Sequence, residues 1–185
     1  MLPAIMGVLL QTRRTLIRAP RVSDAAAIAR YANERTVGAN TFIPFPYRLS
    51  DAHEFIKRAR ASWRKGTEYT FMIVDRESNE AIGGTGLNLT SSTHKVAETG
   101  YWLASPYRKQ GLLTECLPAV LRFGFQELRL HRITAHVFKD NDPSKRLLTR
   151  LGFREEGYLV RALKHRGRWR DSHLFALLCE EFKTL

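Results

Sequence analysis

The stretch YRKQGLLTE at residues 107–115 decides how the rest of this sequence is interpreted. A strand-like run precedes it, Gly111 lies at its centre, and an amphipathic pattern begins at Leu112. The start of a helix carries backbone N–H groups without intrahelical acceptors, and a glycine allows an anion to approach the chain closely. The stretch therefore predicts a phosphate-binding turn between a strand and a helix. An ordinary strand-to-helix connection without a ligand is the alternative interpretation of the same pattern.

Strand-like and helix-like patterns alternate on both sides of this turn, which predicts a mixed α+β fold. Residues 13–185 contain no repeat or linker, so we expect one domain preceded by an N-terminal arm at 1–12. The predicted elements are strands at 14–18, 69–74, 81–89, 96–103 and 132–138, two strands within 157–178, and helices at 25–33, from residue 50, at 112–128 and at 143–151. Pro118 predicts a kink in the third of these helices, and Gly152 predicts the end of the fourth.

Composition restricts the class of protein. The chain has 185 residues, of which 44% are apolar and 26% charged, and these proportions exclude disordered and fibrous classes. Its longest apolar stretch, at 1–10, is too short to span a bilayer, and Arg13 and Arg14 follow it rather than precede it as in a signal peptide. We therefore expect a cytoplasmic protein without a membrane segment.

Cysteines and histidines do not form a pattern that would bind a metal ion. The two cysteines, Cys116 and Cys179, are far apart, and no histidine lies at ligand spacing from either. The sequence predicts no metal site.

The strongly basic character of the chain indicates a polyanionic partner or a basic surface. The net charge is +12 with a pI near 10.2, and basic residues concentrate at 161–170 around Trp169. Such a pattern is compatible with RNA binding, but no nucleic-acid-binding signature accompanies it. We therefore expect the basic surface to serve an anionic cofactor or a ribosome-associated substrate rather than direct nucleic-acid binding.

The glycine-rich segment GGTG at residues 83–86 is a second candidate motif. They lie inside a strand-like run and no helix follows, so the context of a dinucleotide-binding turn is missing. We expect a bulge there, or a strand that approaches a ligand.

Several motifs in the right order resemble the GNAT superfamily of acyl-CoA N-acyltransferases. The motifs of the superfamily are Arg108-x-x-Gly111, Asn141-x-x-Ser144 and LGF at 151–153. Further segments are similar to the RimJ/RimL branch, the ribosomal-protein-alanine N-acetyltransferases: IPFPY at 43–47, GYWL at 100–103, GFREEG at 152–157 and WRD at 169–171.

The resemblance implies a GNAT-like α/β fold, a central mixed sheet of about seven strands with splayed central strands, flanked by about four helices. It implies that acetyl-CoA is the cosubstrate and that its pantetheine arm fills the gap between the splayed strands. The implied cofactor-binding residues are Leu103, Ala104, Arg108, Lys109, Gln110, Gly111, Leu112, Leu113, Thr114 and Asn141. We expect the guanidinium of Arg108 and the N–H groups that follow it at the pyrophosphate. The family has a small residue where this chain has Leu113.

Acetylation of an amine requires a base, because an ammonium must lose a proton before its nitrogen can attack. Relatives carry an acidic residue on the strand before the turn, and Glu98 is the residue at that place here. Strand alternation places Glu98, Gly100 and Trp102 on one face. Ser144 is implied as the group that protonates the CoA thiolate. Some relatives carry a further Glu after the position of Gly157 that this chain lacks, and two other candidates for the base are Tyr158 and Asp171.

These residues predict an N-acetyltransferase that moves an acetyl group directly to a primary amine, which we expect to be a protein N-terminus. A ribosomal protein or the ribosome is the implied partner, and a homodimer is possible. Two alternatives stay open at this point. The acceptor could be a small amine such as an antibiotic, polyamine or amino acid, or the chain could be a non-catalytic module that binds acyl-CoA or RNA.

Overall fold

Residues 8–183 are described by the computed structural model, and they form eight β-strands and five α-helices. The strands are β1 (Leu9–Gln11), β2 (Thr15–Arg18), β3 (Glu68–Asp75), β4 (Ala81–Ser91), β5 (Val96–Leu103), β6 (Arg132–Phe138), β7 (Arg154–His165) and β8 (Arg168–Leu178). The helices are α1 (Ala25–Ala32), α2 (Arg35–Asn40), α3 (Leu49–Lys65), α4 (Leu112–Arg122) and α5 (Asp142–Arg150).

The sheet is mixed, as the sequence predicts. Its strands adjoin in the order β1-β2-β3-β4-β5-β6-β8-β7. The β5–β6 pair is parallel, whereas the pairs β1–β2, β2–β3, β3–β4, β6–β8 and β7–β8 are antiparallel. Two elements were not predicted: the short helix α2, and strand β1, which lies within the expected N-terminal arm. The first seven residues of that arm lie outside the described residues.

The chain divides into two compact units. The first comprises the chain up to Asn88 together with Tyr101–Val120, and the second comprises Leu89–Gly100 and the chain from Leu121 onward. Strands β4 and β5 each have residues in both units. The prediction that residues 13–185 form one domain stays a prediction.

The first unit is built around the buried faces of α1, α3, β3 and β4. Ile28, Ile56, Met72 and Val74 belong to one cluster of buried side chains there. Next to α1, the guanidinium of Arg18 donates two hydrogen bonds of 2.8 Å to the carboxylate of Asp24, and both side chains are buried. The helices are therefore fixed on the strands by apolar packing and by one bidentate ion pair.

The second unit holds the parallel strand pair and the β7–β8 hairpin. Alternate residues of β6, Ile133, Ala135 and Val137, are buried. The turn between β7 and β8 has positive φ angles at Arg166 and Gly167, a conformation typical of two-residue hairpin turns. The two strands that the sequence predicts within 157–178 are therefore confirmed, and they begin three residues earlier than expected.

Helix α4 continues through its proline. Pro118 lies inside the α-helix, which remains regular to Arg122, and the next five residues, Phe123–Glu127, form a π-helical segment. The predicted helix at 112–128 is confirmed in extent, but its last part has π rather than α geometry.

Candidate active site

The turn before α4 has the backbone shape of an anion cradle. Lys109 and Gly111 adopt positive φ angles of 61° and 78°, and Gln110 between them does not. Alternation of this kind points successive backbone N–H groups toward one side, which forms a concave nest for an anion. The side chains of Lys109 and Gln110 are exposed, so an anion can reach this side of the chain from solvent.

The N–H groups of this turn are available to a ligand. The first hydrogen bond of α4 is donated by the N–H of Glu115 to the carbonyl of Gly111 at 3.1 Å. Within residues 8–183, no protein acceptor is recorded for the N–H groups at 109–114. These six N–H groups at a helix start, of which five belong to exposed or half-buried residues and one to the buried Leu112, suit the charge and the oxygens of a pyrophosphate. Leu113 is half-buried, and its backbone N–H is one of these six groups without a protein acceptor.

The side chain of Arg108 is engaged by the protein itself. Its Nε donates to the carbonyl of Leu103 at 2.7 Å, its Nη1 to the hydroxyl of Thr36 at 3.0 Å, and its Nη2 lies 3.4 Å from the carboxylate of Glu34. All three nitrogens of the guanidinium thus have a protein partner. The guanidinium therefore lies against protein acceptors, and a role of Arg108 at the pyrophosphate stays a prediction.

Glu34 and Thr36 are components of this turn that the sequence did not indicate. Both carboxylate oxygens of Glu34 accept from the N–H of Ser105 at 3.1 Å, and the hydroxyl of Ser105 donates to the same carboxylate. Glu34 precedes α2, the helix that was not predicted, and no local pattern connects it to a turn more than 70 residues away.

A second arginine holds the other side of the turn. Arg14 donates its backbone N–H and its Nε to the carboxylate of Glu115 at 2.9 Å each, and its Nη2 donates to the carbonyl of Gln110 at 3.0 Å. Burial would raise the pKa of Glu115, but hydrogen bonds from Thr12 and Arg14 and the charge of Arg14 outweigh burial and hold the pKa below its ordinary value. An ionised Glu115 thus ties β2 to the first turn of α4.

Leu103 and Ala104 have fewer backbone groups to offer than expected. The carbonyl of Leu103 accepts from Arg108, the N–H of Ala104 donates to the carbonyl of Ile82 at 2.9 Å, and the carbonyl of Ala104 accepts from Tyr107 at 3.0 Å. Three of these backbone groups thus have partners within the protein, and contact of Leu103 and Ala104 with the cosubstrate stays a prediction.

The parallel ladder between β5 and β6 is short. Val96–Glu98 pair with Arg132–Thr134, and the pairing extends no further among the described residues, although β5 continues to Leu103 and β6 to Phe138. This is the splay that the sequence predicted.

Glu98 lies at the end of this ladder. The alternation in β5 is as predicted, because Ala97 and Thr99 are buried while Glu98 is half-buried and Gly100 exposed. Among the described residues, no basic side chain forms an ion pair with Glu98. Its carboxylate is therefore not neutralised by a protein cation, as suits a proton acceptor.

Asn141 and Ser144 lie together at the start of α5. Asn141 is the N-cap of this helix, and its side-chain oxygen accepts from the N–H of Ser144 at 3.4 Å. Both residues are half-buried. The amide nitrogen of Asn141 has no recorded partner within 8–183, so the cap oxygen serves the helix and the NH₂ group can serve a ligand.

The sequence matches the family described as the Acetyltransferase (GNAT) domain over residues 14–154. The chain belongs to the GNAT acetyltransferase family. An N-acetyltransferase called p20 from Bacillus licheniformis, itself uncharacterized, is 31% identical over 94% of this chain and 97% of its own length. The [ribosomal protein uS5]-alanine N-acetyltransferase of Escherichia coli is 30% identical over 91% of this chain and 89% of its own length.

A solved structure agrees with these sequence relatives. Mycobacterium smegmatis RimJ in complex with CoA-disulfide superposes with a TM-score of 0.87 at 31% identity, over 98% of this chain and 91% of that one. The predicted GNAT fold and the resemblance to RimJ and RimL are confirmed. The protein is a GNAT N-acetyltransferase and acetyl-CoA is its cosubstrate.

Two other candidates for the base of this acetyltransferase lie close together in the second unit. The hydroxyl of Tyr158 donates to the carboxylate of Asp171, which also accepts from the N–H of Arg161 at 2.9 Å. The bond from Tyr158 lowers the pKa of Asp171, and the same bond raises the pKa of Tyr158. Both pKa values are shifted away from neutrality, where a general base works best. The pair is thus less suited to the task than a carboxylate without such partners.

No helix formed by residues 8–183 is long and apolar enough to cross a membrane. In the same range, no three side chains of His, Cys, Asp or Glu come together as a metal site would require.

Proposed function

We propose that this GNAT acetyltransferase transfers the acetyl group of acetyl-CoA to the α-amino group of a protein N-terminus, and that a ribosomal protein beginning with alanine is the acceptor. The observation that carries the proposal is the 30% identity with the uS5-alanine N-acetyltransferase, which extends over nearly the full length of both chains. The likeness to RimJ supports the same acceptor class.

Exposed aromatic and aliphatic side chains favour a polypeptide over a small amine. In the second unit, Tyr158, Val160 and Trp169 on the β7–β8 hairpin are 43%, 69% and 61% exposed. In the first unit, Phe42 and Phe45 between α2 and α3 are 63% and 38% exposed. Side chains of this size are enriched where proteins bind polypeptides, and an enzyme for a small amine has no need of them outside its pocket.

The proposed chemistry assigns two side chains to proton transfer. Glu98 accepts a proton from the acceptor ammonium through a water molecule, which leaves a neutral nitrogen with a lone pair. That nitrogen attacks the thioester carbonyl, whose oxygen is polarised by the N–H of Leu103. A C–N bond forms and the C–S bond breaks. The hydroxyl of Ser144 donates its proton to the departing thiolate and is reprotonated by the second proton of the attacking nitrogen, while Glu98 releases the first proton to solvent.

The remaining predicted residues bind the cosubstrate. The N–H groups at 109–114 hold the pyrophosphate, the amide of Asn141 donates to the pantetheine arm, and Arg108 fixes the shape of the turn through Leu103, Thr36 and Glu34. This assignment agrees with the unpaired donors of the turn and of Asn141 described above.

A panel of acceptors tests the proposal. Release of CoA thiol is measured with wild-type enzyme, acetyl-CoA and three kinds of amine: a peptide that begins with alanine, a polyamine and an aminoglycoside. We expect kcat/KM to be about a hundredfold or more higher for the peptide, which corresponds to two or more good contacts in the transition state. A preference for either small amine would overturn the proposed acceptor class. No thiol release with any amine, together with intact acetyl-CoA binding, would overturn the proposed catalysis.

A further inference from the structure

His136 lies on the face of the sheet that carries Glu98. In β6 the residues Ile133, Ala135 and Val137 are buried, whereas Thr134 and His136 between them are half-buried. Glu98 pairs with Thr134 in the parallel register, and residues directly opposite in a sheet share a face. His136 is therefore the next side chain after Thr134 on the face of the proposed base.

The space beside His136 is open. If the β5–β6 register continued by two residues it would bring Gly100 to the level of His136, but the ladder ends at Glu98. A Cβ atom built on Gly100 would meet no atom within 4 Å. On the other side, His136 is paired with Leu174 of β8, which is half-buried and apolar. The opening is thus bordered by one carboxylate, one imidazole and a glycine without a side chain.

The two nitrogens of the His136 ring are in different environments. Nδ1 is buried and has no hydrogen-bond partner among the described residues. The side chain as a whole is half-buried, so the exposed edge of the ring is the one that carries Nε2. A buried N–H group without an acceptor is rarer in proteins than a buried acceptor without a donor. The favoured tautomer therefore has its proton on Nε2, pointing outward, and a bare Nδ1 inside.

A neighbouring histidine shows the contrast. His173 on β8 lies opposite Val137, on the other face of the strands, and its Nδ1 is 2.7 Å from the carboxylate of Glu155. Its ring is thus oriented by a protein partner. The orientation of His136 has no such partner within 8–183, which is typical of a group whose partner is a ligand.

From these observations we infer that His136 determines the specificity for a peptide acceptor: its Nε2–H donates a hydrogen bond to the carbonyl oxygen of the first acceptor residue while Glu98 receives the ammonium proton. This rests on the proposed function, since only an acceptor with a carbonyl next to its amine-bearing carbon can use both groups. A site built to donate to a carbonyl discriminates against an amine without one, because the donor is then left unpaired.

A cycle of two enzymes and two acceptors tests the inference. The acceptors are an alanine-initiated peptide and the same peptide in which a methylene replaces the first carbonyl, and kcat/KM is measured for both. We expect His136→Leu to lower kcat/KM for the normal peptide about tenfold and to change kcat/KM for the carbonyl-free analogue by no more than about twofold. The ratio of the first kcat/KM to the second, which measures the preference for the peptide, then falls. The Kd of acetyl-CoA should not change.

Two further substitutions separate a hydrogen bond from a packing effect. His136→Gln keeps an N–H donor near the position of Nε2 and should restore most of the ratio, whereas His136→Asn places its amide near Nδ1 and should not. This pair decides the question if the leucine variant does not fold. His173→Gln is the matched control on the opposite face and should leave the ratio unchanged.

The outcomes distinguish this inference from the proposed function. If wild type prefers the peptide but the ratio is the same in His136→Leu and His136→Asn, the inference is wrong and the proposed function stands. If wild type prefers the carbonyl-free amine, both are wrong.

Discussion

Arg108 illustrates how the protein itself can hold a single side chain within a proposed cofactor site. Its guanidinium binds the carbonyl of Leu103, the hydroxyl of Thr36 and the carboxylate of Glu34. These contacts join the end of β5 to the start of α2 and fix the path of the chain into the turn. In the proposed arrangement, Arg108 thus shapes the turn whose N–H groups at 109–114 hold the pyrophosphate.

The two possible roles of Arg108 predict opposite effects of Glu34→Ala. If the guanidinium bound phosphate directly, its release from Glu34 would strengthen acetyl-CoA binding. If Arg108 positions the turn, as the structure indicates, loss of Glu34 should weaken binding about threefold to tenfold, as expected for a partly exposed ion pair with its hydrogen bonds. Titration calorimetry with acetyl-CoA measures the difference.

Glu156→Ala is the matched control for this experiment. Glu156 also pairs with arginines, Arg132 and Arg154, and no hydrogen bond within residues 8–183 joins its side chain to the turn. Its loss should leave the Kd of acetyl-CoA unchanged. Tighter binding by the Glu34 variant would show that the arginine fork is the phosphate ligand after all.

At the scale of elements, the glycines of β4 explain how the end of β5 packs against its neighbour. A Cβ atom on Gly83 would lie 2.5 Å from the backbone oxygen of Trp102, and one on Gly84 would lie 2.7 Å from its indole Nε1. The β3–β4 register also shifts between Ile73 and Val74, opposite these residues. The register shift agrees with the expected bulge, the group close to this strand is β5, and the approach of a ligand stays a prediction.

Gly83→Ala should therefore destabilise the protein. The new methyl group meets backbone rather than a flexible side chain, so β5 must shift, at a cost of about 1–3 kcal/mol. For a chain of this size, each kcal/mol lowers Tm by about 2–4 °C. Gly100→Ala is the control, because nothing lies within 4 Å of its Cβ position. Thermal unfolding followed by circular dichroism should place the Tm of the Gly83 variant below that of the Gly100 variant, and equal values would contradict the close approach.

At the scale of the whole molecule, the sequence predicted what depends on local patterns. The strand-turn-helix at 96–122, the hairpin after Gly157 and the alternation around Glu98 all follow from periodicity, glycine placement and capping. Helix α2 was missed because its six residues include Gly38 and Asn40 and bury little. Strand β1 was missed because it is only three residues long, lies in the expected N-terminal arm and depends on pairing with β2.

The parts of the site that could not be predicted are contacts between distant segments. Arg14 reaches Glu115 and Gln110 across about a hundred residues, and Glu34 reaches Ser105 across about seventy. No local pattern encodes either pairing, and a single sequence offers no other signal for them. The orphaned Nδ1 of His136 likewise becomes visible only when its surroundings are known.

The most direct test of the central claim combines one acceptor with one substitution. An alanine-initiated peptide that also contains an internal lysine is incubated with acetyl-CoA and either wild type or Glu98→Gln, and tandem mass spectrometry locates the acetyl group. We predict acetylation of the α-amino nitrogen by wild type, and a kcat/KM about a hundredfold or more lower for the variant with an unchanged Kd for acetyl-CoA. Acetylation of the lysine alone, or a variant as active as wild type, would contradict the account.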